Sequence, residues 1–430
     1  MTSLRDLAEA YWQGEADLVH EHHPVVPVDR RHAEELLPGV LYQKSVAAVT
    51  TLDTGDGLVM LDTGGYFDTD VVYDAARAWR PATRLAAAVY SHHHVDHVFG
   101  TRRFEAEADD RGWPAPTVYA HEHVPDHFAR YDLTNGWNAA INARQFAMPV
   151  ENFAWPTGFR LPDVTYRDEV TFRQGELTFE LHHARGETDD ATWTWVPERK
   201  LLHPGDLFIY AVPNAGNPQK VQRYLSDWAA ALRQMAGLGA EVMMSGHGLP
   251  IFGADRVREA LTGTAELLTA IEDQTLALMN QGLPLDRILH EVEVPAHLAD
   301  RPYLRPVYDH PQFLVRNVWR RYGGWWDGEP DGLLPAPRAQ QAAEWVRLAG
   351  GVEVVVARAL ALAEDGDPRL ACHLVEFAVL AAPSSAEVHQ ARTRIYDLRA
   401  AEQESSMARN ILGHAARASE RGLRDIAGAW

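Results

Sequence analysis

The chain has 430 residues, 46% hydrophobic and 23% charged, which is the balance of a globular protein large enough for two domains. Its 60 acidic against 40 basic residues leave a net charge of −20, which repels a polyanion and sets nucleic acid aside as a partner. The single cysteine, Cys372, excludes an intrachain disulfide; no run of about 20 apolar residues offers a membrane span, and the acidic N-terminal segment is no signal peptide, so a cytoplasmic location is expected.

Taken in chain order, His20, His22 and His23 sit in a polar segment beside Pro24 and read as solvated surface. Arg84–Tyr90 is a short apolar run expected to be a buried strand, and the loop leaving it carries His92, His94, Asp96 and His97. Chemistry in α/β folds gathers at such strand ends. Imidazoles and a carboxylate alternating on an extended loop can face two neighbouring ions, and this donor type suits zinc, or iron or manganese. His93 alternates away from that face and is expected to be structural or exposed.

Farther on, His121 and His123 follow a strand and are candidates for a pocket wall. Arg130–Met148, with Asn135, Trp137, Asn138 and Arg144, is a candidate lid. The strand Leu177–Leu181 leads through His182 and His183, which could orient a ligand, to Glu187. The strand at Leu201 leads to Gly205-Asp206, and the one at Val242 to Gly246-His247-Gly248. Each of these three acceptor residues stands just past an apolar run and beside glycine, where backbone can turn tightly and leave room for an ion.

After residue 252 the pattern turns helical. Residues 254–282 carry apolar residues at helical spacing, and 305–322 lead into an aromatic turn, Gly323–Pro330, containing Trp325 and Trp326, which suits either a core or a subunit contact. Helical stretches near 338–365, 368–381, 384–402 and 404–419, punctuated by Gly366-Asp367-Pro368 and Pro383-Ser-Ser, look like a helical-hairpin array. Cys372 falls among its apolar residues and is expected in the core.

His92-x-His94-x-Asp96-His97, Gly186-Glu187, Gly205-Asp206 and Gly246-His247, with the Asp62-Thr63-Gly64 turn before them, resemble the metallo-β-lactamase superfamily in order and spacing. That resemblance implies an α+β architecture: an αββα sandwich over 1–252 followed by an all-α helical-hairpin domain over 253–430. It implies two zinc ions per chain, the first on His92, His94 and Glu187, the second on Asp96, His97 and His247, with Asp206 bridging. Glu187, where most members carry histidine, resembles the alkyl sulfatase branch. The aromatic turn and the helices to about residue 420, including Ala408-Arg409-Asn410, look like that branch's dimerisation domain and imply a homodimer. Relatives usually continue into a sterol-carrier-like domain thought to hold the aliphatic tail, and with the sequence ending at Trp430 that domain is expected to be missing.

Two divalent ions against Asp96, Glu187 and Asp206 leave about one positive charge, which favours a monoanionic ester such as an alkyl sulfate over a dianionic phosphate monoester. The leading expectation is a dizinc hydrolase of sulfate monoesters that uses a metal-bridging hydroxide, with Asp96 and Asp206 as catalytic residues. Asn214, Asn217 and Arg223 are the candidate sulfate contacts, arginine being suited to oxyanions. The alternative is another ester class on the same metals, a phosphodiester, thioester or lactone, favoured by aspartate at 206 where alkyl sulfatases usually carry glutamate. A binding protein that kept the fold and lost the chemistry is disfavoured, because every ligand position holds a competent residue type.

Overall fold

The computed structural model describes residues 2–27, 29–148, 151 and 153–427, which leaves Trp430 outside the described residues. The chain forms two compact units, residues 1–133 with 156–324 and residues 134–155 with 325–430. The expected break at residue 252 is therefore not where the chain divides.

The first unit is built on two sheets. One has seven strands in sequence order: β1 (Ala33–Leu37), β2 (Val40–Gln43), β3 (Val49–Asp53), β4 (Leu58–Leu61), β5 (Leu85–Val89), β6 (Thr117–His121) and β7 (Val164–Tyr166). The other runs in the order β13 (Ile251–Phe252), β12 (Val242–Met243), β11 (Leu201–His203), β10 (Ala191–Val196), β9 (Leu177–Ala184), β8 (Glu169–Gln174). Strands β4 to β7 are parallel and the first three strands antiparallel, so the first sheet is mixed. Every residue of β5 is buried, as expected for a strand covered on both faces. On its outer side Val49, Leu58, Met60 and Leu85 pack with Val72, Ala76 and Phe104 of helices Thr69–Trp79 and Thr101–Arg111. The two sheets meet where Tyr119 of β6 stacks on Phe172 of β8 at 4.2 Å, and Phe172 in turn stacks on its cross-strand neighbour Phe179 of β9 at 4.9 Å.

Helix Ala254–Asn280 belongs to this unit because its buried Val257, Leu261, Leu268 and Ile271 pack with helix Leu225–Ala236, which itself buries Trp228 and Leu232. Helix Pro311–Gly323 follows, and it too belongs to the first unit. His23, expected at the surface, is buried: its Nε2 lies 3.0 Å from the Val307 carbonyl, and its Nδ1 accepts from the Val25 and Val26 amides.

In the second unit, helices Arg338–Ala349, Val352–Glu364, Pro368–Ala381, Ala386–Ala401 and Ser406–Glu420 follow the expected hairpin pattern, save that 338–365 is two helices. The break is at Gly350 and Gly351, whose φ values of 96° and 132° suit glycine alone. Asp367, Ser385 and Ser405 cap the next three helices, each accepting from a backbone amide three residues on. Three consecutive helices bury Ala359, Leu362, Ala371, Val375, Ala391 and Ile395 in one core. The segment expected as a lid divides: Arg130 stays in the first unit, while helix Asn135–Gln145 joins the second. There the Gln145 carbonyl accepts from Asn410 Nδ2, and Arg144 pairs with Asp425 at 2.8 Å. Cys372 is partly buried: it packs against this core, as expected, and also lines a cavity of about 480 Å³ in this unit.

Candidate metal centre

The strand ends of the first unit converge. The loop after β5 brings His92, His94, Asp96 and His97; the turn after β9 brings Glu187; the turn after β11 brings Asp206; and the turn after β12 brings His247. In each of three groups, His92 with His97 and Asp206, Asp96 with His97 and His247, and His94 with Glu187 and Asp206, the donor atoms lie within 4.8 Å of one another. Asp206 and His97 are each common to two of these groups. His247 Nε2 is 3.3 Å from carboxylate oxygens of both Asp96 and Asp206, and His94 Nδ1 is 3.7 Å from Glu187 Oε1. Glycine makes the approach possible, since a Cβ on Gly246 would lie 2.3 Å from Asp206 Oδ1.

The donor set fits divalent metal. Among the described residues His97 Nε2 and Asp206 Oδ1 are buried without a hydrogen-bond partner, a state that costs free energy unless a cation or water meets them. Burial and the neighbouring Asp206 raise Glu187 above the usual carboxylate range, against the pull of Arg223. Burial, reinforced by its imidazole neighbours, pushes His94 well below its ordinary value. Burial works the other way on His97, but Asp62, Asp206 and Asp96 together hold it well above its ordinary value. Three carboxylates and four imidazoles packed so closely form a site whose negative charge bound divalent cations would offset.

Several supports around these residues were not legible in the sequence. Asp62, in the left-handed region at φ 58°, accepts from His97 Nδ1 at 2.7 Å and from the Ser91 amide and hydroxyl at 2.7 and 2.9 Å. The sequence marked its turn but not this role, which fixes the His97 tautomer so that Nε2 faces the donors. His93 is neither exposed nor idle: its Nδ1 lies 2.9 Å from the buried Asp190, and Arg130 Nη2 lies 3.1 Å from its Nε2. His183 Nε2 meets the Asp189 carbonyl at 2.9 Å and stacks on His121 at 3.9 Å, while His182 stacks on Trp193. These contacts brace the turn that carries Glu187.

On the Glu187 side lies a polar cluster from the loop 208–224. Asn214 Nδ2 donates to Glu187 Oε1, and Arg223 Nη2 is 3.4 Å from the same oxygen. Arg223 is 1% exposed, and among the described residues neither its Nε nor Asn214 Oδ1 has a hydrogen-bond partner. Asn217 closes its own turn, its Oδ1 accepting from the Gln219 amide. Lys220, which sequence reasoning missed, lies in the same field: loss of solvation, with Arg223 nearby, lowers its pKa to about 7.

Residues 42–247 match the model of the metallo-beta-lactamase superfamily, and residues 285–422 match that of alkyl sulfatase dimerisation. The chain belongs to the metallo-beta-lactamase superfamily, in its alkyl sulfatase branch. It is 27% identical over 346 residues to the linear primary-alkylsulfatase of Pseudomonas sp., which covers 76% of this chain and 65% of that one. It is 26% identical over 391 residues to an (R)-specific secondary-alkylsulfatase of Pseudomonas sp., covering 85% and 58%. The solved structure of the stereoselective inverting sec-alkylsulfatase Pisa1 from Pseudomonas sp. has the same fold, with a TM-score of 0.83 at 24% identity over 91% of this chain and 66% of that one. This alkyl sulfatase-branch chain thus spans about two thirds or less of the length of the curated relatives it matches. The α+β architecture, with a metallo-beta-lactamase fold and helices gathered in the C-terminal region, is as expected.

Proposed function

We propose that the chain is a dizinc hydrolase of sulfate monoesters. The observation that carries this reading is the placement of Glu187, a donor facing His94 and Asp206, in hydrogen-bond contact with Asn214 and beside the buried guanidinium of Arg223. One set of residues thus joins a metal-binding cluster to groups suited to an anion. Bound divalent ions would acidify a water and offset charge on the ester. Asp96 and Asp206, whose carboxylates both face His247, would orient that water. Among the described residues the unpartnered Arg223 Nε leaves a charge-assisted donor for a sulfate oxygen at the same place, the Asn214 amide nitrogen would offer its second N–H there, and Asn217 bounds the loop.

The charge balance favours a monoanion: three carboxylates would leave only about one positive charge of two divalent ions uncompensated. The test is sulfate release from primary, secondary and aryl sulfates of graded chain length by zinc-loaded protein, with bis(p-nitrophenyl) phosphate and a thioester alongside. Release that falls at least about a hundredfold in Glu187→Ala and Asp206→Ala is the expected result. Turnover of the phosphodiester or thioester with no sulfate released from any ester overturns it and selects the other ester class.

A further inference from the structure

The loop 208–224 has neither helix nor strand, so its backbone groups must find partners elsewhere. It finds them on the segment leading into helix Pro311–Gly323. The Val212 amide donates to the Arg305 carbonyl at 2.9 Å, and the Gly216 amide to Asp309 Oδ2 at 2.7 Å. Asn317 binds the backbone of Arg223 on both sides, its Oδ1 accepting from the Arg223 amide at 3.2 Å and its Nδ2 donating to the Arg223 carbonyl at 3.1 Å. Gln222 Nε2 meets the same Oδ1 at 3.0 Å. Asp309 is wholly buried and Asn317 is 4% exposed. The contact is backbone against backbone at Gly216, where a Cβ would lie 2.2 Å from Phe313 C and 2.3 Å from Leu314 N.

We propose that Asp309 and Asn317 are positioning residues, a clamp that fixes loop 208–224 and thereby aims Asn214 and Arg223 at the anionic group of the substrate. The proposal rests on the reading of Asn214 and Arg223 as anion contacts given above. A side-chain amide paired to both faces of one peptide leaves that residue little rotational freedom, and the guanidinium it carries inherits the restriction. Both positioning residues lie within the span that matches the alkyl sulfatase dimerisation model, yet they pack in the first unit. The opening part of that module therefore serves the site as well as assembly.

The experiment uses the zinc-loaded full chain, with turnover of decyl sulfate, inhibition by sodium sulfate, calorimetric binding of sodium sulfate, and metal content. Asn317→Ala is expected to raise KM and the sulfate inhibition constant together by about tenfold, with kcat within about threefold and metal content unchanged. Asn317→Asp, which keeps the acceptor for the Arg223 amide, is expected to recover part of the loss. Gly216→Ala, which wedges the loop away from the helix, is expected to act in the same direction as Asn317→Ala and supplies a second reading should Asp309→Ala fail to fold. Weaker sulfate binding in Arg223→Ala with none in Asn317→Ala or Gly216→Ala overturns the clamp, as does loss of kcat and metal at constant KM. Unchanged sulfate binding in both Arg223→Ala and Asn214→Ala overturns the anion-contact reading and the clamp with it. Should no sulfate ester be turned over, the calorimetric arm still decides the clamp.

Discussion

Asp62 shows how much of a metal centre lies outside the residues that would touch the ion. Its carboxylate takes the Nδ1 proton of His97 and two hydrogen bonds from Ser91, and so aims His97 Nε2 at Asp96 and Asp206. Asp62→Ala is expected to lower zinc affinity by about 10- to 100-fold while leaving the fold in place. Competition against a chelator of known affinity measures this, and an unchanged affinity would show that packing alone orients His97. The positive φ of Asp62 explains why a short polar residue stands there, since a β-branched side chain would strain that turn. His93 and Asp190 form a second buried pair one residue from the donors; His93 and the other groups about it hold the Asp190 carboxyl well below the usual range although burial opposes this.

Among the elements of the helical unit, Asn135–Gln145 is held by polar ties at its last turn. Asp425 accepts from Arg144, His414 and the Ala427 amide. Burial would raise the Asp425 carboxyl, but those hydrogen bonds win and hold it below its ordinary value. A depressed carboxylate stabilises the fold above its unfolded-state pKa of about 3.9, and that contribution is lost as pH falls through the lower folded-state value. Thermal unfolding from pH 7 down to pH 3 is therefore expected to show an acid-sensitive part, no more than about 1 kcal/mol after discounting for solvent, that is absent in Asp425→Ala. Identical pH profiles for the two proteins would show that the ties contribute nothing net.

Assembly belongs to the scale of the whole molecule. The helices of the second unit leave Trp345, Leu348 and Val354 59%, 70% and 52% exposed, more large apolar surface than a helix turned to water needs. With residues 285–422 matching the alkyl sulfatase dimerisation model, a homodimer is the expected state. Light scattering at micromolar concentration should give twice the 48.0 kDa chain mass, and Leu348→Arg should shift the balance toward monomer. A single-chain mass for the unaltered protein would exclude this dimer. Among the described residues no helix is long and apolar enough to cross a membrane. The sequence by itself marked the apolar runs that lead to the candidate donor residues and the helical stretches of the second unit, because local periodicity, glycine placement and residue chemistry are written within a few positions of one another. Asp62 with His97, Asp190 with His93, Arg130 and Lys220 near the donors, and Asn317 on Arg223 were decided only by tertiary structure. Those partners stand tens of residues apart, and no short-range pattern records which buried charge another segment will meet. The division of the chain follows the same logic: residues 254–324 read as helical in either unit, and only the packing of their apolar faces assigned them to the sheets.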